Sequence, residues 1–151
     1  MVTTQVLRKI NLFSGLDDDV LEEISGFCSV HEYTDGEIIL YENGSDNLVI
    51  RDLYLLIDGV INIVKHPPGF KPLKKIDIHA IDTEVYGEIG WLLGSKPSAE
   101  LSSSGNSKVL LVDGGKLFSL CDSNPKVGYN ILYGLAVILA MRLVNQTQSD
   151  M

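Results

Sequence analysis

The sequence is poor in the residues that metal centres and covalent frameworks need. Its 151 residues include two cysteines and three histidines. Cys28 and Cys121 lie far apart among apolar neighbours, which fits buried thiols in a reducing compartment and speaks against a disulfide framework. His31, His66 and His79 stand at separations that match no zinc spacing and no alternate-strand ligand pattern. No metal site is therefore expected, and a metal-dependent β-barrel enzyme is disfavoured. A serine elbow of the G-x-S-x-G kind is missing as well. Asp17, Asp18 and Asp19 are followed by no EF-hand spacing, so they read as a solvated helix start. With no catalytic residues to assign, the chain reads as non-enzymatic and free of any cofactor.

Positive charge is also scarce. Twelve Lys and Arg against twenty Asp and Glu leave a net charge of −8, with a pI near 4.7. Such a surface repels phosphate backbones and anionic lipid, so neither nucleic acid nor membrane is an expected partner. The N-terminal stretch MVTTQVLRKINLF has no basic start leading into an apolar run, and a cytoplasmic protein is expected. The most apolar window, Ile131 to Met141, is bracketed by Asn130 and Arg142. It is shorter than the roughly twenty residues of a membrane span and reads as a buried helix. What remains is an ordinary folding composition, 45% hydrophobic and 21% charged. At this length one core burying roughly 68–70% of the unfolded surface is expected, hence a single domain over residues 1–151.

Organisation follows the hydrophobic period. Val20, Leu21, Ile24, Phe27 and Cys28 recur at helical spacing behind the aspartate run, so helices are expected over about residues 5–28. Asp17 as N-cap places Leu16 and Leu21 at the positions of a hydrophobic staple. From Ser29 the rhythm changes to short β-prone segments: Val30 to Tyr33, Glu37 to Tyr41, Leu48 to Ile57, Val60 to Val64, Leu73 to His79 and Lys108 to Val112. Asp35-Gly36, Asn43-Gly44, Asp58-Gly59, Pro67-Pro68-Gly69, Gly105-Asn106 and Asp113-Gly114 punctuate them as turns. That pattern predicts an antiparallel sandwich, barrel or jelly roll over residues 29–113. Helices return over residues 116–148, broken at Ser123-Asn124-Pro125. In the last helix Ile131, Leu135 and Ile138 make one stripe, and Leu132, Ala136, Leu139 and Leu143 a second. Either both stripes are core of one monomer, or one is left for a second copy of the same helix.

One segment breaks the β rhythm. Gly87-Glu88-Ile89-Gly90-Trp91-Leu92-Leu93-Gly94 reads as a helical turn between glycines, emerging from a strand. Such a turn either presents backbone N–H groups to an anion or makes a tight corner between strands.

The order of elements, together with particular residues, resembles the cyclic nucleotide-binding domain family. The residues are Leu12-Phe13-Ser14-Gly15-Leu16, Asp35-Gly36-Glu37, Glu42-Asn43-Gly44, Tyr54-Leu55-Leu56-Ile57-Asp58-Gly59-Val60 and Tyr86-Gly87-Glu88-Ile89-Gly90. Leu117, Phe118, Leu120, Leu135, Ala136, Leu139, Arg142 and Leu143 extend the likeness over nearly the whole chain. The resemblance implies a mainly β fold with flanking helices: an antiparallel double-stranded β-helix, or jelly-roll β-roll, of about eight strands. Gly36, Gly44 and Gly59 would mark turns between those strands. It also implies a phosphate-binding cassette over residues 86–99. There Glu88 would accept a hydrogen bond from a ribose 2′-hydroxyl, and the N–H groups of Ile89 and Gly90 would hold a cyclic phosphate. Ser98 and Ala99 match the family's small pair. Where the family carries an arginine for the phosphate, this chain has Pro97. Lys96 beside it either compensates as a point charge or remains a solvated loop cation.

The implied function is a non-enzymatic ligand sensor with weakened or lost affinity for cAMP or cGMP. The alternative is a degenerate domain serving dimerisation or protein interaction. Ile131, Leu135, Ile138 and Arg142 are taken as the dimer helix. Because the sequence stops about where the family's effector segments begin, any output is expected to pass through a homodimer or an effector protein that the sequence does not identify.

Overall fold

The computed structural model describes residues 3–40, 52–65, 74–78, 85–94 and 100–149. The chain divides into two compact units. Residues 1–27 and 115–151 form a helical unit, and residues 28–114 form a β unit.

In the β unit, β1 (Cys28–Tyr33), β2 (Ile38–Leu40), β3 (Leu53–Lys65), β4 (Lys74–Ile78), β5 (Val85–Tyr86) and β6 (Glu100–Val112) make one six-stranded sheet. The order is β1-β6-β3-β4, with β2 also on β6 and β5 also on β3, and every pairing is antiparallel. Side-chain alternation puts Tyr54, Ile61, Leu101 and Val109 into one buried cluster with Ile39, Leu40 and Tyr86. Leu53, Leu55, Leu110 and Val112, at the intervening positions, are buried too. Strands apolar at consecutive positions are thus covered on both faces, which explains why Tyr54 to Ile57 lacks a clean alternation.

Two of the expected turns are bulges instead. Asp58-Gly59 does not separate strands, because β3 runs unbroken from Leu53 to Lys65 with register shifts at Leu56/Asp58 and Asp58/Val60. Gly105-Asn106 likewise lies inside β6. Gly59 has φ +107, and a Cβ there would stand 2.6 Å from the Asn106 carbonyl oxygen. Gly105 has φ +73. The same left-handed conformation serves a turn or a bulge, and here it lets two long strands bend past each other. Serines pin the bend. Ser107 Oγ donates to the Val60 carbonyl at 3.1 Å, and Ser103 Oγ reaches the Gly105 carbonyl at 2.6 Å. Asp35-Gly36 is a turn, as expected, tied to the bend by Gly105 N–H to Asp35 Oδ1 at 2.7 Å. Six strands are described rather than about eight, and Asn43-Gly44 and Pro67-Pro68-Gly69 lie outside the described residues.

In the helical unit, α1 (Thr4–Arg8) and α2 (Asp18–Ser25) are joined by an Arg8–Asp18 ion pair. Asp17 is the N-cap of α2 by position and extended backbone, although its side chain makes no capping hydrogen bond. Leu16 and Leu21 are both buried. A third helix (Glu88–Leu93), denoted α3, belongs to the β unit; α4 (Gly114–Ser123) and α5 (Pro125–Ser149) follow it. Pro125 occupies the first position of α5, where its missing N–H costs nothing, and Asn124 Oδ1 accepts from Val127 N–H at 3.3 Å. Gly128 lets α5 pass close to α4, since a Cβ there would stand 2.9 Å from the Cys121 carbonyl oxygen. Asp113-Gly114, expected as a turn, supplies instead the first residue of α4.

The apolar stripes of α5 separate. Ile131, Leu135 and Ile138, expected on a dimer face, are buried within the chain. The surface left open is the neighbouring stripe: Tyr129 (66% exposed), Leu132, Tyr133 (61%), Val137, Met141, Leu143 (64%) and Val144. Of the two arrangements open in the sequence, the helix takes the one with a single buried face. Over Pro125–Asn145, α5 also has the length and composition of a membrane span, with 28% of the window buried. Helices of water-soluble proteins meet the same test.

Candidate functional site

The glycine-flanked segment forms α3, and its geometry follows from the two glycines. Strand β5 pairs with β3 through Tyr86 opposite Tyr54 and Val85 opposite Leu55, which delivers Gly87 to the end of the strand. Gly87 is the N-cap of α3 with φ +82. A Cβ there would lie 2.8 Å from the Asp52 carbonyl oxygen and 3.2 Å from the Tyr54 ring. Both the backbone conformation and the close approach demand glycine. Gly94 closes the helix in the left-handed region, its N–H donating to the Gly90 carbonyl at 2.9 Å.

The first intrahelical hydrogen bond runs from Trp91 N–H to the Gly87 carbonyl at 3.1 Å. The N–H groups of Ile89 and Gly90 precede it and lie at the electropositive end of the helix. Glu88 occupies the same turn and is only 9% exposed. The structure therefore brings Gly87, Glu88, Ile89 and Gly90 together as a turn that combines backbone donors with a sheltered carboxylate. Lys96, Pro97, Ser98 and Ala99, the second half of the expected cassette, lie outside the described residues.

Two residues that the sequence did not single out hold this turn. Trp91 is buried, and its indole N–H donates to the Gly114 carbonyl at 2.9 Å. Asp52, whose backbone carbonyl lies against Gly87, accepts the Gly114 N–H on Oδ1 at 3.1 Å. The available signal was that Trp91 is the chain's single tryptophan and sits inside the glycine-flanked segment.

Of the histidines, His31 lies on an exposed strand position with its Nε2 2.9 Å from Ser29 Oγ, and His66 and His79 lie outside the described residues. Among the described residues no three His, Cys, Asp or Glu side chains gather as metal ligands. Both thiols are poor nucleophiles. Burial pushes Cys28 up to about 12, and burial and then Asp122 raise Cys121. Burial also lifts the Tyr54 hydroxyl to about 12, with Asp52 and Tyr33 adding to the effect.

These shifts carry a pH dependence. For an acid whose folded pKa is raised, stability is intact below the unfolded value and is lost as pH climbs toward the folded one. The ordinary values are 9.0 for Cys28 and 10.0 for Tyr54. Thermal unfolding followed by circular dichroism should thus show a melting temperature that falls as pH rises from about 9 toward about 12. Cys28→Ala should remove the early part of that fall.

No protein-family model matches the sequence, and no curated protein does. Solved structures do. A protein from Geobacter metallireducens GS-15 described as cyclic nucleotide-binding superposes with a TM-score of 0.75 at 18% identity, over 95% of this chain and 99% of that one. A cyclic nucleotide-binding domain from Methylobacillus flagellatus KT gives 0.73 at 20% identity, over 97% and 79%. The regulatory domain of Toxoplasma gondii PKA, crystallised with cAMP, gives 0.65 at 16% identity, over 98% of this chain and 49% of that one. The expected fold class holds: the chain has a cyclic nucleotide-binding-domain-like fold, an antiparallel β-roll with flanking helices. At these identities the likeness establishes the fold alone.

Proposed function

We propose that the chain is a ligand-sensing module of the cyclic nucleotide-binding type, non-enzymatic and cytoplasmic, acting as one domain. Its site is formed by Gly87, Glu88, Ile89, Gly90, Ser98 and Ala99, and its affinity for cAMP or cGMP is reduced by Pro97. The observation that carries this reading is the Gly87 turn: a left-handed N-cap that places backbone donors beside the sheltered Glu88, within a fold shared with the regulatory domain crystallised with cAMP. A cyclic phosphate supplies the charge such donors favour, and Glu88 is a suitable acceptor for a ribose hydroxyl. Calorimetric titration with cAMP and cGMP tests it. Binding in the high-micromolar range or weaker is expected, and Glu88→Ala should weaken it a further tenfold or so. Binding indifferent to Glu88→Ala contradicts the site.

The exposed stripe of α5 favours a second reading, a dimerisation module that has lost its ligand. Tyr129 and Tyr133 stack on the open face with centroids 5.8 Å apart, and Leu132, Val137 and Met141 continue it. Burying such a stripe against its own copy removes apolar area from water at about 25 cal/mol per Å². Sedimentation is then expected to show a dimer that Leu132→Asp dissociates. A 16.6 kDa monomer at high concentration overturns this reading.

A further inference from the structure

Four residues of the β unit close a circuit around the Gly87 turn. Gly87 lies against the Asp52 carbonyl, with 2.8 Å between that oxygen and the place of a Cβ. Asp52 Oδ1 accepts Gly114 N–H at 3.1 Å, and the Gly114 carbonyl accepts the Trp91 indole N–H at 2.9 Å. Trp91 backbone N–H returns to the Gly87 carbonyl at 3.1 Å. Asp52 is separated from Gly114 by 62 residues and Trp91 by 23, so the circuit is tertiary rather than local.

We infer that Asp52 and Trp91 are positioning residues that clasp Gly114, one by its N–H and the other by its carbonyl, and thereby fix the Gly87–Gly90 turn. The turn and the first residue of α4 then open and close as one unit. Three features support it. Gly114 is buried and begins α4, where its N–H has no intrahelical partner, so Asp52 meets a need the helix cannot meet itself. Trp91 is 1% exposed, which fixes the indole on its acceptor. Gly87 has no room for a side chain, so a displacement of Asp52 is felt directly by the turn. Reciprocity then requires that a ligand tightening the turn also tighten Gly114, a consequence that rests on the ligand reading above.

Amide hydrogen exchange of the ligand-free chain tests the clasp itself. Asp52→Ala is expected to speed exchange at Gly114 and at Trp91 together, by roughly threefold to tenfold, the weight of one net hydrogen bond. Asp52→Asn, which keeps an oxygen acceptor, should restore most of the protection. Because the chain has one tryptophan, biosynthetic replacement by β-(benzothien-3-yl)alanine alters Trp91 alone. It preserves shape and removes the N–H, and the same joint acceleration is expected. Acceleration at Gly114 with the Trp91 amide unchanged overturns the clasp and leaves Asp52 a mere cap of α4. Equal exchange for the alanine and asparagine variants overturns it too. Cyclic AMP added to the Pro97→Arg chain separates the two proposals. Binding that slows exchange at the turn but not at Gly114 ends the coupling. Failure to bind counts against the ligand reading, and the clasp then stands or falls on the exchange rates of the ligand-free variants.

Discussion

Pro97→Arg is expected to tighten binding of cAMP or cGMP by roughly tenfold to a hundredfold. An arginine paired with a phosphate makes charge-assisted, bidentate hydrogen bonds worth about 1.5–3 kcal/mol, and each 1.4 kcal/mol or so is tenfold in affinity. Proline offers neither the charge nor a backbone donor. Its neighbour Lys96 brings a point charge without the planar fork. The general electrostatics run the same way, because a chain of net charge −8 gives an anionic ligand no long-range help. Titration of the two chains side by side reads the difference. Affinity unchanged by the substitution would mean that position 97 does not face the phosphate.

The largest effect on stability is expected at Gly59 rather than at the site. A Cβ at Gly59 would stand 2.6 Å from the Asn106 carbonyl oxygen and 2.7 Å from Ser107 Cα, with φ at +107. Both obstacles are backbone, so the strands must separate to admit a methyl group. Gly59→Ala should therefore cost about 3 kcal/mol or more, from strain and displaced ladder bonds together. Gly105→Ala is the matched control. Its φ of +73 imposes the left-handed penalty, but nothing lies within 4 Å of its Cβ, and about 1–2 kcal/mol is expected. Urea midpoints of the two variants should differ accordingly, and equal midpoints would refute the close approach of β3 and β6.

How far the sequence reached depended on whether local chemistry was enough. The change of rhythm at Ser29 and the return of helical spacing after Val112 are legible because periods of two and of 3.6 are local properties, and strands run from Cys28 before helix resumes at Gly114. The α3 turn was legible for the same reason: a short apolar helix between two glycines. Asp58-Gly59 and Gly105-Asn106 look like turns in sequence because a positive φ suits a hairpin turn and a bulge equally, and only the partner strand decides between them. Which of the two stripes of α5 stays open escaped as well. Its two stripes are similarly apolar in sequence, and burial of Ile131, Leu135 and Ile138 is a tertiary fact. The roles of Asp52 and Trp91 were hidden because they depend on Gly114, which is distant along the chain.

Whether the Gly87–Gly90 turn is a ligand site can be read from the amide chemical shifts of the Pro97→Arg chain during titration with cAMP. A ligand held there should produce progressive, saturable shifts at Gly87, Glu88, Ile89 and Gly90, with Gly114 following through Trp91 and Asp52. Saturable binding with these amides unmoved, or no shifts at any cAMP concentration, would contradict the site.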